Sequence, residues 1–449
     1  MREPSSEPMS DDVRPAAASE VVELAIEALA PGGDGVGRLG ARAVFVPATL
    51  PGERVRASIP AARPGAGPLQ AELVEVLSPS PSRRPVVGCP HFGECGGCQW
   101  LHASPALQLR AKEEAFRQAL GEVLDGVEVA AIDGDGPELG YRARTTLHVA
   151  RGALGFSQRA SHEVVAVRRC LLLDERLNGV LDRLQGLLGA PDEGGALRLP
   201  RGCTDVALAC DDERVSAAFF LDRLTCEGEG RIDRLVRHAG IKGAVAVFPE
   251  RGLKTFGKPM LSRPAPCSTR GARLFGRADL FAQAHAAANA RLVAQALQQM
   301  GDVDGALELF GGSGNFTLAL AERARGVVSI ELCASALELA RQSARAAGLT
   351  NVRFIGGDAI ASARQLIHSG ERFDALLLDP PRAGAPGIAD LARTSGVRRV
   401  VYVSCNPVTL CRDARALIAA GFRPTFARPL DLFPQTVHVE AVITFERAS

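Results

Sequence analysis

No stretch of this 449-residue chain is apolar for long enough to span a bilayer, and no apolar leader precedes its first domain. A membrane role and a secreted, disulfide-stapled fold are therefore not expected, and the protein is expected to be cytoplasmic. An excess of charge is also lacking. Lys and Arg number 52 against 51 Asp and Glu, a net +1 that argues neither for nor against nucleic acid. Residues 1–19 have no apolar core segment and read as a disordered tail. What the chain does have is length beyond a single core, so two or three domains are expected. It also has an odd number of cysteines, 11. In a reducing compartment, clustered cysteines point to metal or catalysis rather than to disulfides.

Residues 21–77 alternate apolar and polar between glycines and prolines, the pattern of a small β-barrel. Gly32 to Arg38 reads as a turn cluster, Ala43 to Pro47 and Glu53 to Ile59 as strands. Cys89, Cys95 and Cys98 follow within a glycine-rich loop that can wrap their thiolates round one centre. A fourth ligand must come from elsewhere, and Cys170 is the best candidate. Zinc and an iron–sulfur cluster both accept four thiolates, so spacing does not separate them. A helix is expected over Pro105–Leu120, apolar at positions 107, 109, 116 and 120, with its charged residues outward. Between Tyr141 and Cys170 stand Arg142, Arg144, Arg151, Arg159, Arg168 and Arg169 against one acid, Glu163. Such a local field suits a phosphate backbone, or a solvated strand surface.

From Leu280 the pattern turns helical and then βαβ. Ala306 to Phe310 is a strand, Gly311-Gly312-Ser313-Gly314 a tight turn, and Val327 to Ile330 the next strand, closed by Glu331. Glycines admit a ligand to the backbone, and an acid there accepts hydrogen bonds from ribose hydroxyls. The turn departs from the dinucleotide G-x-G-x-x-G, so S-adenosylmethionine fits at least as well as NAD. Asp358 ends the third strand, where it can meet an adenine amine or cap the next helix. Asp374 to Leu378 delivers Asp379-Pro380-Pro381, a loop stiffened by prolines. Val401 to Ser404 is a buried strand that ends on Cys405-Asn406-Pro407 and leaves a thiol at the mouth of the sheet. Glu440 opens the last apolar strand, where a partly buried carboxylate has a raised pKa suited to proton transfer.

A thiol, a carboxylate and a sulfonium methyl donor over one cleft suggest one reaction. C5 of uracil is a poor nucleophile. A thiolate added to C6 turns the ring into an enolate whose charge reaches C5, and that carbon takes the methyl group. A base then removes the C5 proton and the thiolate is expelled. Cys405 suits the nucleophile and Glu440 the base, while Asp379 and Gln283 suit hydrogen bonds to the base edge or to the donor's amino group. The target base must be unstacked, which implies a single-stranded or flipped RNA nucleotide. The competing enzyme reading is an exocyclic-amine methyltransferase built on Asp379-Pro380-Pro381, which does not need Cys405.

The sequence resembles the S-adenosylmethionine-dependent RNA uracil-5-methyltransferases of the TrmA/RumA group, closest to the branch that modifies 23S rRNA. The motifs CPHFGECGGCQ, LFGGSGNF, DPPRAGA, SCNPVTLCRD and DLFPQTVHVE carry the resemblance. It implies a multidomain α/β protein: a tail over 1–19, a TRAM (OB-like) β-barrel over 20–80, and a central α+β iron–sulfur and RNA-binding domain over 81–275. A Rossmann-like class I methyltransferase domain over 276–449 completes it. By position it implies Cys405 as nucleophile, Glu440 as base, and Cys89, Cys95, Cys98 and Cys170 as ligands of a [4Fe–4S] cluster. Gln283, Phe310, Asn315, Glu331, Asp358 and Asp379 would line the S-adenosylmethionine pocket. The family usually places Asn where this chain has His285, to which no role is carried. The implied substrate is RNA, 23S rRNA ahead of tRNA, acted on by a monomer.

Overall fold

The computed structural model describes residues 20–60, 67–86, 88–189, 198–223, 225–248 and 252–448. The tail expected over residues 1–19 lies outside them. The chain divides between Arg84 and Pro85 into two compact units.

In the first unit the long strand Glu20–Leu29 pairs with Gly35–Leu39 on one side and Arg54–Ile59 on the other, with a register break between Ile26 and Ala28. Leu69–Gln70 lies at one edge of the six-stranded sheet and Glu72–Ser78 at the other. Only Ala71 separates these two strands, so one length of chain closes the sheet on itself around Leu24, Ile26, Val44, Val55 and Ala57. Gly35 and Gly37, read above as part of a turn, belong to a strand. A side chain at Gly35 would meet Thr49 Oγ1 at 2.0 Å, so close packing, not turning, requires that glycine.

The second unit holds two large sheets. Seven strands from Arg144–Ala150 to Gly252–Gly257 form a mixed sheet. The helices Glu175–Leu188 and Cys226–His238 bury Leu177, Leu181, Ile232 and Leu235 in one core with its strands. The other sheet has eight strands. In spatial order they are Val352–Gly356, Gly326–Glu331, Gly305–Leu309, Ala375–Leu378, Arg399–Ser404, Glu440–Arg447, Phe422–Leu430 and Glu128–Val129. The first five are mutually parallel. The chain winds outward both ways from Gly305–Leu309, which creates a switch point beside that strand's carboxyl end. Glu440–Arg447 runs antiparallel between its neighbours.

The boundary drawn at residue 275 does not follow the packing. Glu128–Val129 joins the far edge of the C-terminal sheet, and Phe116, Leu120 and Val123 share a core with Tyr402, Leu410 and Phe445. Pro105–Leu120 is a helix as expected, but its buried stripe is Gln108, Lys112, Phe116 and Leu120. Positions 107 and 109 are only half-buried. Two polar side chains take the inner face because each finds partners there. Lys112 Nζ lies 2.6 Å from Asp431 Oδ1, and Gln108 pairs with Gln435.

The strand that ends at Cys405 is pinned from below. Tyr402, fully buried, donates its hydroxyl to Asp413 Oδ2 at 2.7 Å, and the Ala385 N–H donates to the same oxygen at 2.7 Å. One carboxylate thus joins the Cys405 strand, the helix after it and the loop that follows Asp379. Tyr402→Phe is expected to lower the free energy of unfolding by about 1.5–3 kcal/mol, the worth of a buried hydrogen bond to a charged group. Urea denaturation checks this, and an unchanged midpoint would show the joint to be idle.

Candidate active site

Every sequence-chosen site residue of the C-terminal sheet sits at one end of it. Parallel strands bring their carboxyl ends together, so Phe310, Glu331, Asp358, Asp379 and Cys405 follow five neighbouring strands on one side. Glu440 reaches the same place by the opposite route. Its strand is antiparallel, so its first residue lies where its neighbour ends, with Ala441 paired to Ser404. The residues before these two partners and after them, Glu440 and Cys405, are thereby set side by side.

Electrostatics at this end are crowded with acid. Glu440 is 1% exposed, and its Oε2 has no hydrogen-bond partner. Burial, and then the Asp379 charge, raise its pKa well above the ordinary carboxylate range, against a smaller opposing effect from Arg382. Burial raises Asp379 to about 7. The two carboxylates repel, so a proton lost by one is held more tightly by the other. Burial pushes the Cys405 thiol up to about 11, with Glu440 and Asp379 adding to it and Arg382 opposing. Arg382 was not singled out from the sequence, although its place two residues past Pro380 in the stiff loop was a usable signal. Asn406 caps the following helix through Val408 N–H and donates its amide to the Arg382 carbonyl at 2.9 Å, which ties the two loops together.

The glycine turn lies at the switch point. Phe310 has φ +61 and Gly312 φ +54, so the chain turns sharply off the strand. A Cβ on Gly311 would stand 2.2 Å from Ser329 Oγ. Glu331 accepts Gly312 N–H at 2.9 Å on one oxygen and Cys333 N–H at 2.7 Å on the other, which fixes the carboxylate at the rim of the turn. Asn315 exchanges two hydrogen bonds with Asn289, at 2.8 and 3.0 Å. Asn289, a partner that sequence reading missed, comes from the helix Ala286–Met300. Asp358 caps its helix by accepting Ala361 N–H at 2.8 Å. Gln283 is half-buried in the loop before Ala286–Met300, and the neighbouring Ala284 carbonyl accepts Ala143 N–H from the seven-stranded-sheet side. His285 is buried, accepts Ala288 N–H as the helix cap, and stacks on Tyr141 at 4.6 Å between ring centroids.

Cys89, Cys95, Cys98 and Cys170 line a single cavity with Arg142, Phe156 and Leu172. All are free thiols. Burial pushes Cys98 up to about 12, with the charges of Cys170, Cys95 and Cys89 adding to it, and raises Cys95 and Cys170 as well. Among the described residues, no group of three or more His, Cys, Asp or Glu is placed to hold a metal ion, and no helix is long and apolar enough to cross a membrane.

The sheet order, the glycine turn at its switch point and the acid beside it define the Rossmann-like class of S-adenosylmethionine-dependent methyltransferases. Within that class the chain belongs to the RNA (uracil-5-)-methyltransferase family. The tRNA (Uracil-5-)-methyltransferase pattern matches residues 273–448, and the TRAM domain pattern matches residues 18–74. The chain is 36% identical to the 23S rRNA (uracil(1939)-C(5))-methyltransferase RlmD of Alkalilimnicola ehrlichii, across 95% of this chain and 97% of that one. It is 34% identical to the enzyme of the same name from Edwardsiella ictaluri, across 93% and 94%. Its fold resembles the Pyrococcus abyssi tRNA (uracil-54, C5)-methyltransferase solved with S-adenosyl-L-homocysteine, with TM-score 0.71 and 21% identity over 94% of this chain and 99% of that one.

Two outcomes follow from the acid-rich geometry. Alkylation of Cys405 by iodoacetamide, followed by peptide mapping, should climb through about pH 11. A plateau already at pH 9 would contradict the burial argument. A carboxyl whose folded pKa is raised costs stability once pH passes its ordinary value. Asp379→Asn should therefore match the parent melting temperature near pH 4 and exceed it near pH 8.

Proposed function

We propose that this chain methylates C5 of a uridine in 23S rRNA, as a cytoplasmic monomer, through a transient bond between Cys405 and C6. The observation that carries the proposal is the antiparallel pairing of Ser404 with Ala441, which sets a thiol beside a buried carboxylate at the methyl-donor end of the sheet. The near full-length likeness to 23S rRNA enzymes supports the choice of RNA.

The turn suits S-adenosylmethionine. Gly312, with nothing within 4 Å of where its Cβ would stand, leaves the turn open to close approach, and Glu331 is fixed at its rim for the ribose hydroxyls. When bound, that group supplies an electrophilic methyl carbon to a nucleophilic ring atom. We assign Gln283, Phe310, Asn315 and Asp379 to the same pocket, with Asp358 reaching the adenine side through the oxygen not used in capping.

Cys405 loses its proton to solvent and its sulfur bonds to C6, which places the electron pair of the C5–C6 double bond on the enolate and on C5. Once C5 is alkylated, Glu440 takes the remaining C5 proton, the ring double bond re-forms and the sulfur leaves. Burial and the Asp379 charge make Glu440 a stronger base than an exposed carboxylate. The Pro380-Pro381 loop holds Asp379 against this pair, and Arg382 offsets the negative charge that builds there.

The cysteine cavity suits a [4Fe–4S] cluster. Its four thiols face one space, and cationic irons would offset the burial that disfavours thiolates there. A tetrahedral zinc with bonds of about 2.3 Å would draw the sulfurs to about 3.8 Å from one another.

RNA carrying 5-fluorouridine, with the methyl donor, should leave an adduct on Cys405 that survives denaturation, since fluorine blocks the last proton abstraction. Cys405→Ala should form none, and an adduct mapped elsewhere would defeat the mechanism. With normal RNA, Glu440→Gln should lose about 10²–10⁴-fold in turnover while the methylated adduct accumulates. Mass-spectrometric mapping should find the new methyluridine in 23S rRNA. Its appearance in tRNA alone would reassign the substrate. Anaerobically purified protein should be brown and contain iron; a colourless, zinc-bearing sample would exclude the cluster.

A further inference from the structure

The loop that leads into Glu440 is held almost entirely by the segment that carries the cysteines. Gln435 is fully buried with φ +72, a conformation that a non-glycine residue keeps only when its surroundings enforce it. Its carbonyl accepts two N–H groups, from Gln99 and Trp100, each at 3.0 Å. These are the two residues directly after Cys98. Its N–H donates to Gln108 Oε1 at 2.9 Å, and its Oε1 accepts from Gln108 Nε2 at 2.9 Å. Gln108 Nε2 also donates to the Trp100 and Ala103 carbonyls at 3.1 and 3.0 Å, so one side chain clasps both partners.

The preceding residue is tied to the other side of the cavity. The Pro434 carbonyl accepts the Tyr141 hydroxyl at 3.0 Å. Tyr141 precedes Arg142, whose side chain lines the cysteine cavity and whose N–H donates to the Leu172 carbonyl, two residues past Cys170. Both the Cys98 side and the Cys170 side of the cavity therefore end on adjacent residues of the base-bearing loop. Lys112 anchors the loop's beginning through Asp431 and the Phe433 carbonyl. Glu440 itself adds no such anchor at Oε2, which is buried without a partner.

We infer that Gln108, Tyr141 and Gln435 are positioning residues that fasten the Glu440 loop to the four-cysteine cavity, so that what fills the cavity sets how well the base is placed. The inference rests on the assignments of Glu440 as base and of the cavity as a cluster site. A filled cavity holds Cys98 and Cys170 at fixed separation, and the hydrogen bonds above carry that spacing to residues 434 and 435. An emptied cavity frees both anchors at once. Cys405 stays in place, because its strand is pinned separately by Tyr402 and Asp413.

The test is hydrogen exchange by mass spectrometry on the full chain, over residues 431–440. Wild type and Gln108→Leu are each compared with and without oxidative removal of iron, with iron measured on every sample. Stripping iron from wild type should speed exchange in this segment by about tenfold or more. Gln108→Leu should show the same increase with iron retained, and stripping it should add nothing. Tyr141→Phe is the milder companion should Gln108→Leu fold poorly. In turnover, both variants should lose about ten- to a hundredfold in kcat with KM for RNA unchanged, the scale of an ångström-sized misplacement. They should still form the 5-fluorouridine adduct at the wild-type rate. Unchanged exchange in stripped wild type, or wild-type kcat in both variants, overturns the inference. Failure of the underlying assignments reads differently: full activity in Glu440→Gln defeats the base, and an iron-free wild type defeats the cluster.

Discussion

One antiparallel pairing sets the geometry at the ligand-binding end of the larger sheet. A wholly parallel sheet brings only strand ends to its ligand-binding side. Inserting Glu440–Arg447 against the direction of Arg399–Ser404 brings a strand beginning there as well. A carboxylate can then stand beside a thiol without either leaving regular structure. Because both flank a backbone ladder, strand spacing brings their backbones together. The cost is electrostatic, since Asp379 enters from the adjacent strand and three acidic groups compete for protons in a poorly hydrated place.

The rest of the second unit reads as support for that arrangement. Tyr402, Asp413 and Ala385 lock the Cys405 strand to the loop after Asp379. Glu331 and the Asn289–Asn315 pair shape the neighbouring turn. Helix Pro105–Leu120, far away in sequence, supplies Gln108 and Lys112 to the loop before Glu440. Buried polar residues on a helix face are costly unless paired, and both find partners in that loop. That pairing is why an insertion between barrel and sheet packs as part of the catalytic body and not as a separate domain.

Much of this was legible in the chain. The run Val401 to Pro407 announced a strand ending in a thiol, and the alternation of residues 305–380 announced a parallel sheet with ligand residues at its strand ends. Both signals are local, since they depend on periodicity and on turn residues. Helix Pro105–Leu120 shows where local reading stops. Its limits were legible, but its inner face was assigned by hydrophobicity alone, and Lys112 was placed outside with the other charged residues. Gly35 was likewise read as a turn residue because the crowding by Thr49 is a tertiary fact.

The sequence by itself determined the alternation of strands and turns from residue 306 onward, the strand ends on which Asp379 and Cys405 sit, the cysteine loop, and the family the chain belongs to. All of these rest on neighbours within a few residues or on whole motifs. Only the tertiary structure decided that the last strand runs backwards beside the thiol, that four cysteines share one cavity, and that a helix from residue 105 grips a loop near residue 435. Those relations join residues tens to hundreds of positions apart, and no periodicity records which buried polar group will find which partner. They are settled when the chain packs and every enclosed donor and acceptor has to be satisfied together.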